Sequence, residues 1–157
     1  MNIAKWILSL AVGGFLIVFG ITKFTGGAHI FPLIEMKATA AGLPLADLFF
    51  PLVNYATGAL EIIAGLFVLL PMTRKSFGAL LAAVPFLGAF AFHISPFLGV
   101  VTPDAYAENA EGLEAALAAG SGFEPSHFSD ASSPTLFILA TVFLLLSLTN
   151  AYLHRAN

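Results

Sequence analysis

The chain has 157 residues, 59% of them hydrophobic and only 10% charged. Ordinary soluble domains hold about 45–50% and about 25%, so a water-soluble globule is excluded, and a disordered chain needs far more charge. A net charge of −3 without a basic stripe argues against a nucleic-acid partner. The absence of cysteine excludes a disulfide framework, a thiolate metal site and thiol–disulfide chemistry by this chain. The expected class is an all-α, integral membrane four-helix bundle, built as a single membrane domain.

A helix needs roughly 20 apolar residues to span the hydrocarbon core. Four stretches qualify, at about 4–24, 48–72, 76–101 and 133–154. The first carries Lys5 and Lys23 at its two ends, placed to snorkel. Gly26-Gly27-Ala28 is small enough for a signal-peptide cleavage site, but removal would leave three spans, so the segment is expected to remain. Proline near the start and Gly42 past the end predict a short helix over Pro32 to Ala41. The second span contains a single charge, Glu61. A short basic turn, Arg74-Lys75, separates it from the third, which Pro85 and Pro96 interrupt.

The acidic outer loop, 102–132, follows. Thr102 as N-cap, Pro103 as first helical residue and Gly120 as stop predict a helix in it. Its apolar stripe is Tyr106, Ala110, Leu113 and Leu117. Glu108, Glu111 and Glu114 then form a solvated face, and nothing resembles a calcium loop. Ser121 to Ser133 is read as loop, and Ser133-Pro134 restarts the fourth helix. Lys5, Arg74, Lys75 and Arg155 share one side. Glu35, Asp47, Asp104, Glu108, Glu111, Glu114, Glu124 and Asp130 share the other. The positive-inside rule therefore places both termini in the cytoplasm, and a bacterial inner membrane is the expected location.

Polar groups inside a bilayer are expensive and carry the functional information. Asn54, Gly58, Glu61 and Gly65 fall on one helical face, with glycines that let a second helix approach. Gly78, Ala82, Pro85, Ala89 and His93 form a small-residue stripe on the third span. At ~1.5 Å per residue, measured from span midpoints, Glu61 lies at the centre. His93 is then ~5 Å, Asn54 ~10 Å and Lys23 ~13 Å toward the outside. That series suggests a shared inter-helical cavity with Lys23 and Asn54 near its mouth.

Three roles compete for Glu61. It is a protonated structural carboxyl bonded to a carbonyl or to Asn54, an ionised partner of Lys23 or protonated His93, or a group that exchanges protons with a quinone or other ligand. The plain reading of His93 is a buried, hydrogen-bonded imidazole. Haem lacks a second histidine at matching depth, because His29 and His127 lie in outer loops and His154 at the opposite surface. A metal wants three or four converging ligands, and Glu61 with His93 supplies two. The phenylalanines read as bilayer-facing or core packing. Trp6 and Tyr152 read as interface anchors. Ser147, Thr149 and Asn150 read as bonding across helices.

The run FLIVFGITKF, the loop AGLPLADLF, then GALEIIAGLFVLLP and the short basic turn resemble the DoxX-like family of small four-helix membrane proteins. The resemblance spans roughly residues 10 to 100. It rests on Gly20 and Lys23, on Gly58 and Glu61, and on His93; the long acidic loop departs from it. The resemblance implies Lys23, Glu61 and His93 as site positions, and a kinship with DoxD/DoxX subunits associated with thiosulfate:quinone oxidoreductase. More distant four-helix relatives act in membrane-protein assembly or trafficking.

Two functions follow as expectations. The first is an accessory subunit of a membrane redox system that binds quinone or a similar small apolar ligand at Lys23, Asn54, Glu61 and His93, with electrons supplied by a partner protein. The second is a non-enzymatic assembly protein, or a small-molecule or lipid binder, that docks through the acidic loop. Alternating-access transport fits poorly without an internal repeat. Four helices leave room for a homo-oligomer.

Overall fold

The computed structural model describes residues 3–70, 75–95 and 97–155. Helices α1 (Ile3–Thr22), α3 (Asn54–Leu69), α4 (Lys75–Ile94) and α6 (Thr135–Leu153) run up and down. Four helical segments are long and apolar enough to cross a membrane, α3 counting from Ala46 through its leading turns. Two shorter helices, α2 (Ile30–Ala40) and α5 (Leu113–Ala119), lie in the long connections. Both termini meet at one end, the terminal end, and both long connections at the other, the loop end. Lys5 and Arg155 stand at the terminal end; Arg74 and the side chain of Lys75 lie outside the described residues, as does Pro96.

The bundle is organised by close pairs. α1 lies along α3, and α4 along α6, with α3 and α4 joining the two pairs. Glycines set the first contact: a Cβ on Gly65 would lie 2.7 Å from the carbonyl oxygen of Gly13, and one on Gly20 2.7 Å from that of Gly58. The glycine stripe read from the sequence thus faces α1. Val12, Leu16, Ala64, Val68, Ala82 and Phe86 fill the core between the helices. Apolar side chains such as Ile7, Leu10, Val18, Ile63, Leu80 and Leu145 remain exposed around the outside.

At the terminal end, Ser9 Oγ donates to Asn150 Oδ1 at 3.3 Å, an α1–α6 bond of the kind expected from sequence. Ser147 is buried with no hydrogen-bond partner among the described residues, and Thr149 is exposed. Neither makes the expected cross-helix bond among them.

Helix boundaries differ from expectation where tertiary contacts intervene. The first-loop helix begins at Ile30, two residues before Pro32, and ends at Ala40, with Gly42 just beyond its cap at φ +65°. The second span is not one continuous helix. Pro51 disfavours helical backbone in the preceding residue, and Phe50 sits at φ −136° and ψ 132° inside a wide turn, Phe49–Val53, from which α3 emerges. The third span ends at Ile94 rather than near 101, although α4 runs unbroken through Pro85.

The acidic loop departs furthest. The helix expected from Pro103 exists only as α5, because Gly112 caps it at φ +81°. Upstream, strand β1 (Thr102–Pro103) pairs antiparallel with β2 (Ser132–Ser133), and Tyr106 bridges Phe128. Backbone bonds from Asp104 N to Ala131 O (2.9 Å) and Ala107 N to His127 O (3.0 Å) tie the two arms. A short helix is marginal alone, so these paired arms outcompete it. Thr102 is therefore a buried strand residue, not an N-cap.

The loop end has its own core. Leu33, Ile34, Phe50, Leu98, Ala116, Phe123 and Phe128 cluster there, with Leu113 and Leu117 of α5 against them. His29 Nε2 donates to Pro103 O at 2.8 Å and Tyr106 to Ala28 O at 3.3 Å, joining the two loops into one cap.

Glu35, read from sequence as an outer-loop acid, is 3% exposed. Thr39 donates to its Oε1 at 3.0 Å. Burial pushes its carboxyl above the usual range; the Thr39 bond opposes this and the charge of Asp47 adds to it. The folded state thus holds this proton more tightly than the unfolded chain. Its contribution to stability is complete below the ordinary carboxyl value of 4.5 and is lost as pH rises through the higher folded value. Glu35→Gln is expected to flatten that decline, seen as melting temperature against pH; an unchanged slope would refute the assignment.

The α1–α3 contact generates a second expectation. Gly65→Val should lower stability by about 1–3 kcal/mol through overpacking. Gly14→Val, at a glycine whose Cβ would meet nothing within 4 Å, should leave stability unchanged or raise it by less than about 0.5 kcal/mol, because valine has the better helix propensity. Denaturant titration in micelles compares the two.

Candidate functional site

Lys23 is the first residue past α1, in a turn closed by its own N–H on Gly20 O at 3.3 Å. Its stem passes over Gly58, where a Cβ would come within 3.0 Å of Lys23 Cβ. The missing side chain at Gly58 thus opens the path to Glu61, about 4.5 Å further along α3 at ~1.5 Å per residue. Lys23 Nζ reaches Glu61 Oε2 at 2.6 Å, with both side chains buried. This is the single ion pair among the described residues. Asn54 Nδ2 donates to Lys23 O at 2.9 Å and so holds the end of α1 on α3. The ammonium also lies 5.7 Å from the Phe19 ring centre and 5.9 Å from that of Phe31, within cation–π range.

The pair borders a cavity of about 300 Å³ between the helices. Phe15 and Phe19 of α1, Phe31 and Ile34 of α2, and Phe86 and Phe92 of α4 supply apolar wall. Lys23, Thr57, Glu61 and His93 supply the polar groups. Small-molecule sites are typically such apolar clefts with a few placed polar groups.

His93 stands in the last turn of α4 and is 3% exposed. Its Nδ1 lies 2.9 Å from Gly99 O. A carbonyl only accepts, so Nδ1 carries the proton, and in the neutral ring Nε2 keeps a lone pair. Phe137 packs edge-on at 6.1 Å. The ring is therefore held by a backbone bond and an aromatic neighbour while it borders the cavity.

Of the four residues singled out in the sequence, Lys23, Glu61 and His93 border one cavity. Asn54 lies behind its wall, bonded to the backbone instead of standing at a mouth. Depth reckoning from span midpoints separated Lys23 from Glu61 by ~13 Å; the register of α1 on α3 brings them into contact, because span midpoints need not share a plane. Among the readings of Glu61, the structure realises pairing with Lys23. Thr57 was missed, although it precedes Glu61 by four residues and so shares its face. The phenylalanines, read as packing, form much of the cavity wall. No local signal distinguishes such rings from those facing outward. Among the described residues, no group of three or more His, Asp or Glu converges as a metal site would require.

Comparison with protein-family models, curated proteins and solved structures returns no match. The functional reading therefore rests on the site itself.

A buried pair broken on one side leaves an uncompensated charge, at about 3–5 kcal/mol. Lys23→Met is expected to destabilise the protein on that scale, and Lys23→Met/Glu61→Leu to recover most of the loss. A double variant no better than the single one would show that the pair is not coupled; denaturant titration in micelles measures both.

Proposed function

We propose that the chain is an integral membrane protein, a DoxX-like accessory subunit of a redox system. It binds a quinone, or a similar small apolar ligand with a polar head, in the cavity beside Lys23, Glu61 and His93. The observation that carries this reading is the buried Lys23–Glu61 pair bordering an aromatic-walled cavity of about 300 Å³. An acid inside a helix long and apolar enough to cross a bilayer is a functional candidate by default. Here it stands beside open space instead of being sealed in protein.

The donor set suits a quinone head. Lys23 has ammonium hydrogens beyond the one given to Glu61, and these can donate to a carbonyl oxygen. Glu61 and His93 Nε2 can accept from the hydroxyls of the reduced form, and Thr57 can do either. Proton acceptors within reach of the ligand are what quinol oxidation demands of its binding site. Electron exchange belongs to a partner protein, and this chain supplies the cleft and the proton-handling groups.

In this reading the loop end faces outward, and both termini lie in the cytoplasm of a bacterial inner membrane. The partner meets the outer cap. Glu108, Glu111, Glu114 and Glu124 are exposed there, and none forms an ion pair among the described residues. The same face supports the second reading, an assembly or interaction protein. Under that reading, reversing these charges would abolish partner binding while Glu61→Gln changed nothing.

The test is quinone content and binding. Protein purified in mild detergent is expected to carry extractable quinone, or to bind added quinone saturably. Glu61→Gln and His93→Ala should each weaken binding about tenfold, roughly 1.4 kcal/mol. Neither retained quinone nor saturable binding in the intact protein would overturn the proposal.

A further inference from the structure

The cavity is bounded by all four long helices, with Leu136, Leu139 and Ala140 from α6, and by α2. Toward the loop end, α2 lays Ile30, Phe31 and Ile34 across it. Lys37 Nζ donates to Leu98 O at 3.1 Å and ties that helix to the segment after α4. Toward the terminal end, α3 and α4 touch closely; a Cβ on Gly78 would sit 2.7 Å from the carbonyl carbon of Phe67. Between α1 and α6, Phe15 stacks on Phe143 with ring centres 3.7 Å apart. Its polar groups are sequestered, with Lys23 5%, Glu61 7% and His93 3% exposed.

Exposed lining residues mark the crevice between α3 and α4. Phe77, Leu80, Val84, Leu87 and Ile94 are exposed at helical spacing and mark the outward face of α4. Val84 belongs to that face and also borders the cavity. Gly88, one turn on, borders it too and is exposed, and a Cβ there would meet nothing within 4 Å. On α3, Leu60 borders the cavity three residues from exposed Ile63. The lips of this opening are apolar or lack a side chain, as an opening onto lipid requires.

We infer that the ligand is a tailed quinone that enters head-first from the bilayer between α3 and α4 and leaves its polyprenyl tail in the lipid. This rests on the quinone-binding reading above and adds its route and its tail. A cavity of about 300 Å³ holds a substituted ring, but not a long isoprenoid chain as well. The tail has to leave through the lateral crevice, since the cap closes the aqueous side. The lipid then serves as the reservoir, and the sequestered Lys23, Glu61 and His93 meet the head without a water-filled route.

The experiment compares two probes with the full chain in phosphatidylcholine nanodiscs. One is a polyprenyl benzoquinone and the other a tail-less dimethoxymethyl benzoquinone. Both are expected to bind and to compete. Gly88→Trp should slow capture of the tailed quinone about tenfold, equivalent to roughly 1.4 kcal/mol of barrier. Gly14→Trp, at a glycine where an added Cβ likewise meets nothing within 4 Å and which does not border the cavity, should leave it unchanged. Val84→Trp provides a second blocking variant should the first fail to fold. Binding of the tail-less probe with rejection of the tailed one would mean a cavity sealed from lipid, and would overturn the inference while sparing the function. Wild-type capture by a folded blocking variant would do the same. Failure of both probes would remove the inference and the function together.

Discussion

The arrangement depends on one buried ion pair, Lys23 with Glu61, at 2.6 Å. In low-dielectric surroundings neither charge is tolerable alone, and removing one partner costs more than the pair contributes. The pair therefore acts as a constraint more than a source of stability. It fixes how far α1 runs before it turns, and which face of α3 it meets. Gly20 and Gly58 bring the two backbones close enough for the lysine stem to fold back along α3. Asn54 then anchors the Lys23 carbonyl.

The cavity follows from how the remaining helices meet that pair. Gly78 draws α4 tightly against α3 at the terminal end. Further up, Pro85, Gly88 and Ala89 leave little side chain between the two helices, and the space stays open. The loop-end cap completes the enclosure. Its core of Phe50, Phe123 and Phe128 holds the long acidic loop over the bundle and backs the part of α2 that borders the cavity. An acidic, solvated outer face and an apolar inner face thus belong to one ordered cap. The proposed partner contact and the proposed ligand site lie on its two sides.

Helix termini near the site are settled by tertiary bonding more than by propensity. His93 stays in the last turn of α4 because its ring bonds to the Gly99 carbonyl beyond the helix end. The acidic loop becomes a pair of antiparallel arms with a short helix between them because backbone bonds between 104–107 and 127–131 outweigh a run of residues individually compatible with helix. Glycine at 112 with positive φ sets where the short helix starts.

The sequence by itself determined four apolar helical segments, the glycine face of α3 and the rarity of Glu61, Lys23 and His93 among apolar neighbours. These are legible because hydropathy and helical period are local properties of the chain. Only tertiary structure decided that Lys23 reaches Glu61, that Asn54 stands behind the wall, that Thr57 and several phenylalanines line the cavity, and that the arms of the loop pair. Those outcomes depend on the axial register and azimuth of one helix against another. Register and azimuth are set by contacts between residues far apart in the chain, and no single helix encodes them.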